Sequence, residues 1–557
     1  MMNCKKPVAL ALSLALAGSM LASCSQGTEN STSAQEPSAA SSAAQVNTDP
    51  YYKYPEKIEL TAGVQVYDAA KRLPQGDTLE DNRYTRYFEE KTNVHITNAF
   101  EAQTGDAYRQ KVKLAAASDE LPDIMFIHKD DYSLLKQLVE FGQIADLTEA
   151  FNTYLDPDVR EKLTSGDGSA MAQVTFDGKI MAIPEPTLQY DMTRLLWVRQ
   201  DWLDKLGLEA PRTVEDFIAV AKAFMEEDPD GNGKKDTYGM VASRNYHTAF
   251  EPIFSAYGAY PRLWYRDDSG EVVYGGVQPE AKEALAVLRE MYEAGIIDSE
   301  FASREGENEQ VASNRAGLYF CPWWGPWGNL VDSVTNDRTA DWQAYALPLN
   351  AEGKFEAPNA APANCYMVVS SKCENIDAVM RYFNVATNQN DLLEQNLYKD
   401  MEGLGEAYRL SAITLVTDYV DCIPKKNVLY NAILAGDEVI GGPTDINPVE
   451  TEFNINAINE DAKAPKENIE NWGQMAAYMI GAKPLVDNPA IQMKEGAFYG
   501  VTKTMEGKWA NLQQLQDETY LGIIAGTIPL DEFDAFVERW NAQGGSEITA
   551  EVRASVQ

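Results

Sequence analysis

Alternating apolar segments near the start of the folded chain limit the architectures open to it. Residues 58–66 alternate apolar and polar side chains and are rich in strand-forming residues, which predicts a β-strand. Residues 82–92 and 108–117 have the apolar spacing of amphipathic helices, and strand-like runs follow them at 94–96 and 121–127. Strands that alternate with helices in this way are typical of a parallel sheet. We therefore expect an α/β fold.

The first 23 residues have the pattern of a secretory signal. Lys5 and Lys6 precede an apolar run, residues 8–21, that is too short for a membrane-spanning helix. The run ends in Leu-Ala-Ser-Cys at 21–24, which resembles the lipobox of bacterial lipoproteins. This resemblance implies cleavage before Cys24 and diacylation of that cysteine. The alternative is an ordinary signal peptide with an incidental cysteine.

Residues 24–50 are predicted to form a flexible tether after the lipidated cysteine. They are rich in Ser, Ala, Gln, Thr and Glu and contain almost no large apolar side chains. Such a segment buries too little apolar surface to offset the entropy lost on ordering. A tether of this kind would hold a folded body away from a membrane.

The charge of the chain excludes one class of partner. It has 85 acidic residues against 47 Lys and Arg, a formal net charge of -38. Nucleic acid needs a basic footprint for its phosphates, and none is apparent here. We expect neutral or cationic ligands instead.

Four cysteines lie in the body of the chain, and their spacing does not indicate zinc. Cys321, Cys365, Cys373 and Cys422 form no C-x-x-C pair and have no histidine close in sequence. Disulfides after export and buried free thiols are both compatible with this pattern.

An oxygen-rich loop at residues 228–236 has the spacing of a calcium loop. Its sequence, Asp-Pro-Asp-Gly-Asn-Gly-Lys-Lys-Asp, places oxygen-bearing side chains at positions 1, 3, 5 and 9, a backbone carbonyl at 7 and glycine at 6. Position 12 is Gly239 in place of the usual glutamate, so a full EF-hand is absent. The alternative is a surface turn without metal.

Several short motifs occur in the order that they have in one protein family. They include Leu-Pro-Asp-Ile at 121–124, Gly-Gln-Ile-Ala-Asp-Leu at 142–147, Gly-Lys-Ile-Met-Ala-Ile-Pro at 178–184 and the helix end at 291–301. Their order and spacing resemble those of the extracellular solute-binding proteins of carbohydrate ABC importers. The chain looks like the larger, lipid-anchored members, distant relatives of maltose-binding protein.

The resemblance implies a periplasmic-binding-protein fold of type II. In this fold two α/β lobes surround a ligand cleft and are joined by hinge crossings. Lobe 1 would comprise residues 51–183 and 365–400, and lobe 2 residues 184–364 and 401–557 with a helical extension. The lobes would close on a bound ligand.

The resemblance also implies where the protein works and with what. It would sit, as a monomer, on the outer face of the bacterial cytoplasmic membrane, capture an oligosaccharide and deliver it to ABC permease subunits. Calcium-bearing relatives, such as alginate-oligosaccharide binders, have a loop similar to 228–236. By that likeness a structural calcium ion would be held by Asp228, Asp230, Asn232, Lys234 and Asp236.

Three tryptophans beside Pro and Gly are the strongest ligand candidates. Trp323, Trp324 and Trp327 follow a predicted strand end, and three indoles in such a segment cannot all be core residues of a regular element. Indole faces stack on the C–H faces of sugar rings, and the indole N–H can meet a hydroxyl. Buried packing is the alternative.

Further ligand candidates flank predicted strands. Glu185, Gln189, Tyr190 and Asp191 follow the strand that ends near Pro184, where the family places a cleft-bordering loop. Asp131 follows a strand of the parallel sheet, whose carboxyl edge commonly meets a ligand. Two other tryptophans are candidates of lower rank, each also suited to a structural role: Trp264 and Trp472.

Two other classes of protein remain open at this stage. A secreted glycoside hydrolase needs only two carboxylates, but the sequence contains no G-x-S-x-G, H-E-x-x-H or phosphate-loop motif. We therefore expect no enzymatic activity. A binder of peptides or other polar solutes is the nearer alternative, and an anionic sugar would require a local basic pocket, for which the candidates are Arg199, Arg244 and Arg262.

Overall fold

Strands and helices alternate along the chain, as the apolar pattern predicts. A computed structural model describes residues 47–388, 407–413, 415, 417–437 and 448–556. The strands are β1 (Ile58–Val66), β2 (Val94–Gln103), β3 (Ile124–His128), β4 (Thr175–Phe176), β5 (Lys179–Ile180), β6 (Ile183–Pro186), β7 (Leu195–Arg199), β8 (Trp264–Arg266), β9 (Val272–Tyr274), β10 (Leu318–Cys321), β11 (Trp342–Tyr345), β12 (Phe355–Pro358), β13 (Ala363–Val369) and β14 (Ile491–Lys494).

Helices account for most of the remaining chain. They are α1 (Arg83–Thr92), α2 (Asp106–Ser118), α3 (Tyr132–Glu140), α4 (Thr148–Tyr154), α5 (Pro157–Leu163), α6 (Ser169–Val174), α7 (Gln200–Leu206), α8 (Val214–Glu226), α9 (Tyr246–Ala249), α10 (Glu251–Ala256), α11 (Pro279–Glu293), α12 (Asn308–Ala312), α13 (Asn329–Asn336), α14 (Ile376–Thr387), α15 (Cys422–Ala435), α16 (Pro448–Lys463), α17 (Ile469–Met475), α18 (Lys503–Ile524), α19 (Glu532–Trp540) and α20 (Ser546–Ser555). In the described part, no helix is both long and apolar enough to span a membrane.

The first sheet contains the strands predicted from the alternating pattern. Its order is β2-β1-β3-β13-β6, with β2 and β3 parallel to β1 and with β13 antiparallel to β3 and β6. Helix α1 lies within the predicted 82–92, and the Asn82 side chain caps its start by accepting hydrogen bonds from the backbone of Tyr84 and Thr85. β2 runs well past the predicted 94–96, since β1 pairs with it over its whole length.

A second, three-stranded sheet forms around β7. The order is β10-β7-β11, and both neighbours are antiparallel to β7. Alternate residues of β7 enter different cores: Leu196 and Val198 pack on one side, and Leu195 and Trp197 on the other. Because both faces are covered, this strand is apolar throughout apart from its last residue, Arg199.

The buried apolar residues form separate clusters. One surrounds the first sheet and draws on residues 60–183 and 363–415. Two others cover the two faces of the second sheet and draw on residues 195–357 and 419–552. The lobe boundaries inferred from the sequence stay a prediction. The cysteines at 321, 365, 373 and 422 are free thiols.

Arg381 ties the start of the folded body to α14. Its guanidinium pairs with Asp377 at 2.7 Å and donates to the Tyr54 hydroxyl at 2.7 Å and to the Asp49 carbonyl at 3.0 Å, and its side chain is 2 % exposed. The ring of Tyr154 lies 4.5 Å from the guanidinium carbon. The chain from residue 49 onward is therefore fixed to the first core.

We expect Arg381→Ala to lower the free energy of unfolding by about 1.5–3 kcal/mol, because it removes a buried guanidinium with its packing and charged hydrogen bonds, while the Asp377 carboxylate left behind is 37 % exposed. Urea denaturation measures the change. Lys372→Ala is the control: this lysine pairs with Asp119 at 2.9 Å while 62 % of its side chain is exposed, so its removal should cost less than about 1 kcal/mol. Equal losses in the two variants would contradict this account of Arg381.

Candidate functional site

One end of the three-stranded sheet carries the tryptophan segment. β10 ends at Cys321, which pairs in register with Leu195, the first residue of β7. The segments that follow β10 and precede β7 therefore lie side by side. We call this region the aromatic edge and define it as residues 191–194 and 322–328.

Asp191 connects the two segments of the aromatic edge. Its carboxylate accepts a hydrogen bond from Trp323 Nε1 at 3.3 Å, and its carbonyl accepts one from Trp324 Nε1 at 3.0 Å. Burial raises the pKa of Asp191, and the indole hydrogen bonds oppose that rise. Predicted from the sequence as a ligand contact, Asp191 also holds the tryptophan segment in place.

The three predicted tryptophans differ in exposure. Trp323 is buried and Trp324 is half-buried, whereas Trp327 is 43 % exposed. The Trp327 ring lies 4.9 Å from that of Trp323 and 5.5 Å from that of Tyr478, both edge to face. An exposed indole supported by two further rings offers apolar surface to a ligand at little cost in ordering.

A close backbone approach fixes this aromatic cluster from behind. The π-helical turn Ala476–Gly481 contains Tyr478 and packs against the tryptophan segment. A Cβ on Gly481 would lie 2.1 Å from the carbonyl oxygen of Trp323, a separation that no side chain can take up. Glycine is therefore required at this position.

Charged groups beside the aromatic edge form a cluster that the sequence did not reveal. Burial, together with the charges of Arg262 and Arg194, lowers the pKa of His247 to about 4, so its ring is neutral at physiological pH. Burial raises the pKa of Glu251 to about 7 against the opposing charge of Arg194. In both cases burial favours the neutral form of the side chain. Arg194 is far from His247 and Glu251 in sequence, so no local sequence pattern predicts this cluster.

The remaining candidates near the crossing divide into two groups. Glu185 lies on β6 and accepts a hydrogen bond from Asn364 Nδ2 at 3.2 Å. Gln189 and Tyr190 instead line a cavity of about 710 Å³ beside α15, which none of the three tryptophans lines. The other lining residues are Asp421, Pro424, Lys425, Val428, Leu429, Ala432, Leu485, Val486, Asp487, Asn488 and Pro489.

Three lower-ranked candidates lie in packed or ion-paired surroundings. Trp264 is 4 % exposed and sits among Tyr274 and other aromatic rings, and Trp472 is 2 % exposed. Asp131 accepts from Arg109 Nε at 2.6 Å and pairs with Lys113 at 2.7 Å. Such positions suit structural roles, and we do not include these residues in the proposed ligand site.

The three arginines considered for a basic pocket all have acidic partners. Arg199 is buried and pairs with Asp201 at 2.6 Å and Asp337 at 3.2 Å. Arg244 pairs with Glu305 at 2.8 Å, and Arg262 pairs with Asp517. Each of the three guanidinium groups is therefore already engaged by a carboxylate.

The loop at residues 228–236 turns its oxygen-bearing side chains toward one another. Asn232 Nδ2 donates to Asp230 at 2.6 Å and to Asp236 at 3.0 Å, while one carboxylate oxygen of Asp228 is buried without a hydrogen-bond partner. Burial raises the pKa of Asp230, and the nearby Asp228 and Asp236 raise it further. Among the described residues, no group of three or more His, Cys, Asp or Glu is arranged as a metal site.

The twelfth position of this loop has no room for a side chain. A Cβ on Gly239 would lie 2.7 Å from the Cα of Ile296. The glutamate of an EF-hand therefore cannot be accommodated here without moving the backbone.

The chain is similar in sequence to several known proteins. The sequence matches the family model described as bacterial extracellular solute-binding protein over residues 70–389. It is 24 % identical over 492 residues to the polygalacturonan/rhamnogalacturonan-binding protein YtcQ of Bacillus subtilis, covering 84 % of this chain and 87 % of that protein. It is 29 % identical over 465 residues to lipoprotein LipO of Bacillus subtilis, covering 81 % and 84 %.

A third relative is the fructooligosaccharide ABC transporter substrate-binding protein FusA of Streptococcus pneumoniae. The identity is 29 % over 317 residues, which cover 53 % of this chain and 56 % of that protein. The FusA structure in complex with kestose superposes with a TM-score of 0.58 and 18 % identity over 89 % of this chain and 98 % of that chain. The alginate-binding protein AlgQ2 without calcium superposes with a TM-score of 0.59 and 16 % identity over 90 % and 99 %.

These similarities decide two predictions made from the sequence. The α/β fold of the solute-binding type is confirmed by the superpositions. The expectation of a binding protein and not an enzyme is confirmed by the family. Because the family model spans more than half of the 557 residues, the chain belongs to the bacterial extracellular solute-binding proteins.

Proposed function

We propose that this protein captures an oligosaccharide for an ABC importer and passes it to the permease. The observation that carries the proposal is the exposed indole of Trp327, held at the aromatic edge by Trp323 and Tyr478. Sugar rings stack on such surfaces, and Asp191, Arg194 and nearby polar groups supply hydrogen-bonding capacity. The names of YtcQ and FusA, which describe carbohydrate binders, support the same ligand class.

We assign the separate apolar clusters to two lobes that close on the ligand. The cluster around the first sheet forms lobe 1, and the clusters around the second sheet form lobe 2. A Cβ on Gly500 would lie 3.7 Å from the Tyr132 ring, so the two parts touch near this point. A ligand that binds both lobes favours the closed arrangement by its difference in affinity.

The proposed location is the outer face of the cytoplasmic membrane. Cys24, the predicted lipidation site, and the tether up to residue 46 lie outside the described residues. Support comes from the lipobox-like sequence and from the relative named lipoprotein LipO. A monomeric body on a tether can diffuse near the membrane and meet the permease subunits.

A thermal-shift screen tests the sugar. The body from residue 49 onward is heated with kestose, trigalacturonate, an alginate trisaccharide, maltotriose or a tripeptide. A ligand that binds only the folded state raises the melting temperature, and at one hundred times Kd it adds about 2.7 kcal/mol of stability. We expect a shift with one of the glycans and no cleavage products by chromatography. A shift with the tripeptide alone would replace the sugar with a peptide.

Substitution of Trp327 tests its role in binding the glycan that responds in this screen. We expect Trp327→Ala to weaken binding of the responding glycan about tenfold in calorimetric titration, because it removes the exposed stacking surface. Phe141→Ala is the matched control, since it removes an aromatic ring that is 70 % exposed on the first sheet's side of the molecule. Equal affinity for wild type and Trp327→Ala would remove this residue from the site.

We further propose that the loop at 228–236 binds calcium in a structural role. The fit rests on an orphaned Asp228 oxygen and on the repulsion that the carboxylates of Asp228 and Asp236 exert on Asp230, which a cation would relieve. The holding groups would be the side chains of Asp228, Asp230, Asn232 and Asp236 and the carbonyl of Lys234. A calcium ion would have no catalytic role and would stabilise the conformation of the loop after α8.

Chelation tests the calcium proposal. Added calcium should raise the melting temperature of the EGTA-treated protein by about 3–10 °C, since it binds the folded state only. Asp230→Asn should abolish the shift, whereas Asp268→Asn, in an exposed acidic turn elsewhere, should retain it. Equilibrium dialysis that detects no bound calcium would make the loop a metal-free turn.

A further inference from the structure

A buried lysine lies behind the aromatic cluster. Lys426 sits on α15 with 8 % of its side chain exposed. Its ammonium donates to Asp418 at 2.9 Å and to Glu450 at 2.8 Å. Burial opposes its charged form, but the two carboxylates hold the pKa of Lys426 well above its ordinary value. Lys426 is therefore a buried cation paired with two carboxylates.

Glu450 links Lys426 to Tyr478 through hydrogen bonds. The oxygen of Glu450 that accepts from Lys426 also accepts from the Tyr478 hydroxyl, at 3.1 Å. The backbone of Tyr478 is also held, because Asn427 Nδ2 donates to the Tyr478 carbonyl at 2.6 Å. Lys426 and Asn427 are neighbours on one helix, so α15 fixes both the ring and the backbone of Tyr478.

Tyr478 in turn contacts the tryptophan segment. Its ring lies 5.3 Å from that of Trp323 and 5.5 Å from that of Trp327, and on its far side it meets Tyr430 at 5.1 Å. Trp327 is exposed, so its own surroundings restrain it less than those of a core residue. The orientation of Tyr478 therefore decides how Trp327 is supported.

Stability alone does not account for a charged group here. Replacing a buried ion pair with apolar residues of similar volume is often neutral or stabilising, because desolvation offsets the attraction. A hydrogen-bonded charge fixes direction in a way that an apolar contact does not. The network is thus better suited to orientation than to added stability.

We propose that Lys426 is a positioning residue for sugar binding, acting through Glu450 and Tyr478 on the ring of Trp327. This inference depends on the proposed function, because it assumes that Trp327 contacts a sugar. A buried residue would thus help to set the affinity of the aromatic edge for a sugar.

A double-mutant cycle tests the proposal in the mature body of the protein. The probe is whichever of kestose, trigalacturonate, the alginate trisaccharide and maltotriose gives the largest thermal shift, and calorimetry gives Kd at 25 °C. Lys426→Met should weaken binding about fivefold in the wild-type background. In a Trp327→Ala background the same change should weaken it by less than about twofold, because coupled residues are not additive.

A second variant covers the case in which Lys426→Met does not fold. Tyr478→Phe removes only the hydroxyl and keeps the ring, and it should show the same loss and the same coupling to Trp327. Lys463→Met is the matched control on the helix that carries Glu450: its ammonium pairs with Glu460 with 69 % of its side chain exposed, and Kd should change by less than about 1.5-fold.

The outcomes separate this inference from the proposed function. An unchanged Kd in folded Lys426→Met and Tyr478→Phe, or a loss that persists in full without the Trp327 indole, would overturn the positioning role while sugar binding stands. If a glycan binds Trp327→Ala as tightly as it binds the wild type, the positioning role of Lys426 is likewise overturned while sugar binding stands. If none of the four glycans binds, the sugar-binding function fails and the inference fails with it.

Discussion

The antiparallel pairing of β7 with β10 is the constraint on which the candidate site depends. Because Cys321 lies opposite Leu195, the residues after one strand and before the other must share one end of the sheet. β7 is buried on both faces, and a one-residue shift of register would exchange Leu196 and Val198 for Leu195 and Trp197 between two cores. The apolar packing that stabilises the sheet thus also brings Asp191 to the indoles of the tryptophan segment.

In this strongly acidic chain, several buried charges are paired with groups of opposite charge. Asp131 is neutralised by Arg109 and Lys113, Arg199 by two aspartates, and Lys426 by two carboxylates. The buried members of these groups are hydrogen-bonded, which removes most of the cost of placing charge away from water. His247 and Glu251, whose charges interact with Arg194 of the aromatic edge, differ from these pairs, because burial favours the neutral form of each.

Local patterns predicted much of the fold and part of the site. Helix α1 falls within the predicted 82–92, and the tryptophan segment follows a strand as expected, because apolar periodicity is a property of neighbouring residues. Burial of Trp264 depends on Tyr274 and Trp509, and the latter comes from a helix far along the chain. Arg194 escaped notice for the same reason, since the groups around it are assembled only by tertiary packing.

The attachment of residue 49 to α14 through Arg381 has a mechanical consequence. Any pull applied to the chain at residue 49 would enter the body at this ion pair and load the core of the first sheet. The cores on the two faces of the three-stranded sheet do not contain this ion pair. Force applied at residue 49 would therefore strain the first core before it reaches the sheet that carries the aromatic edge.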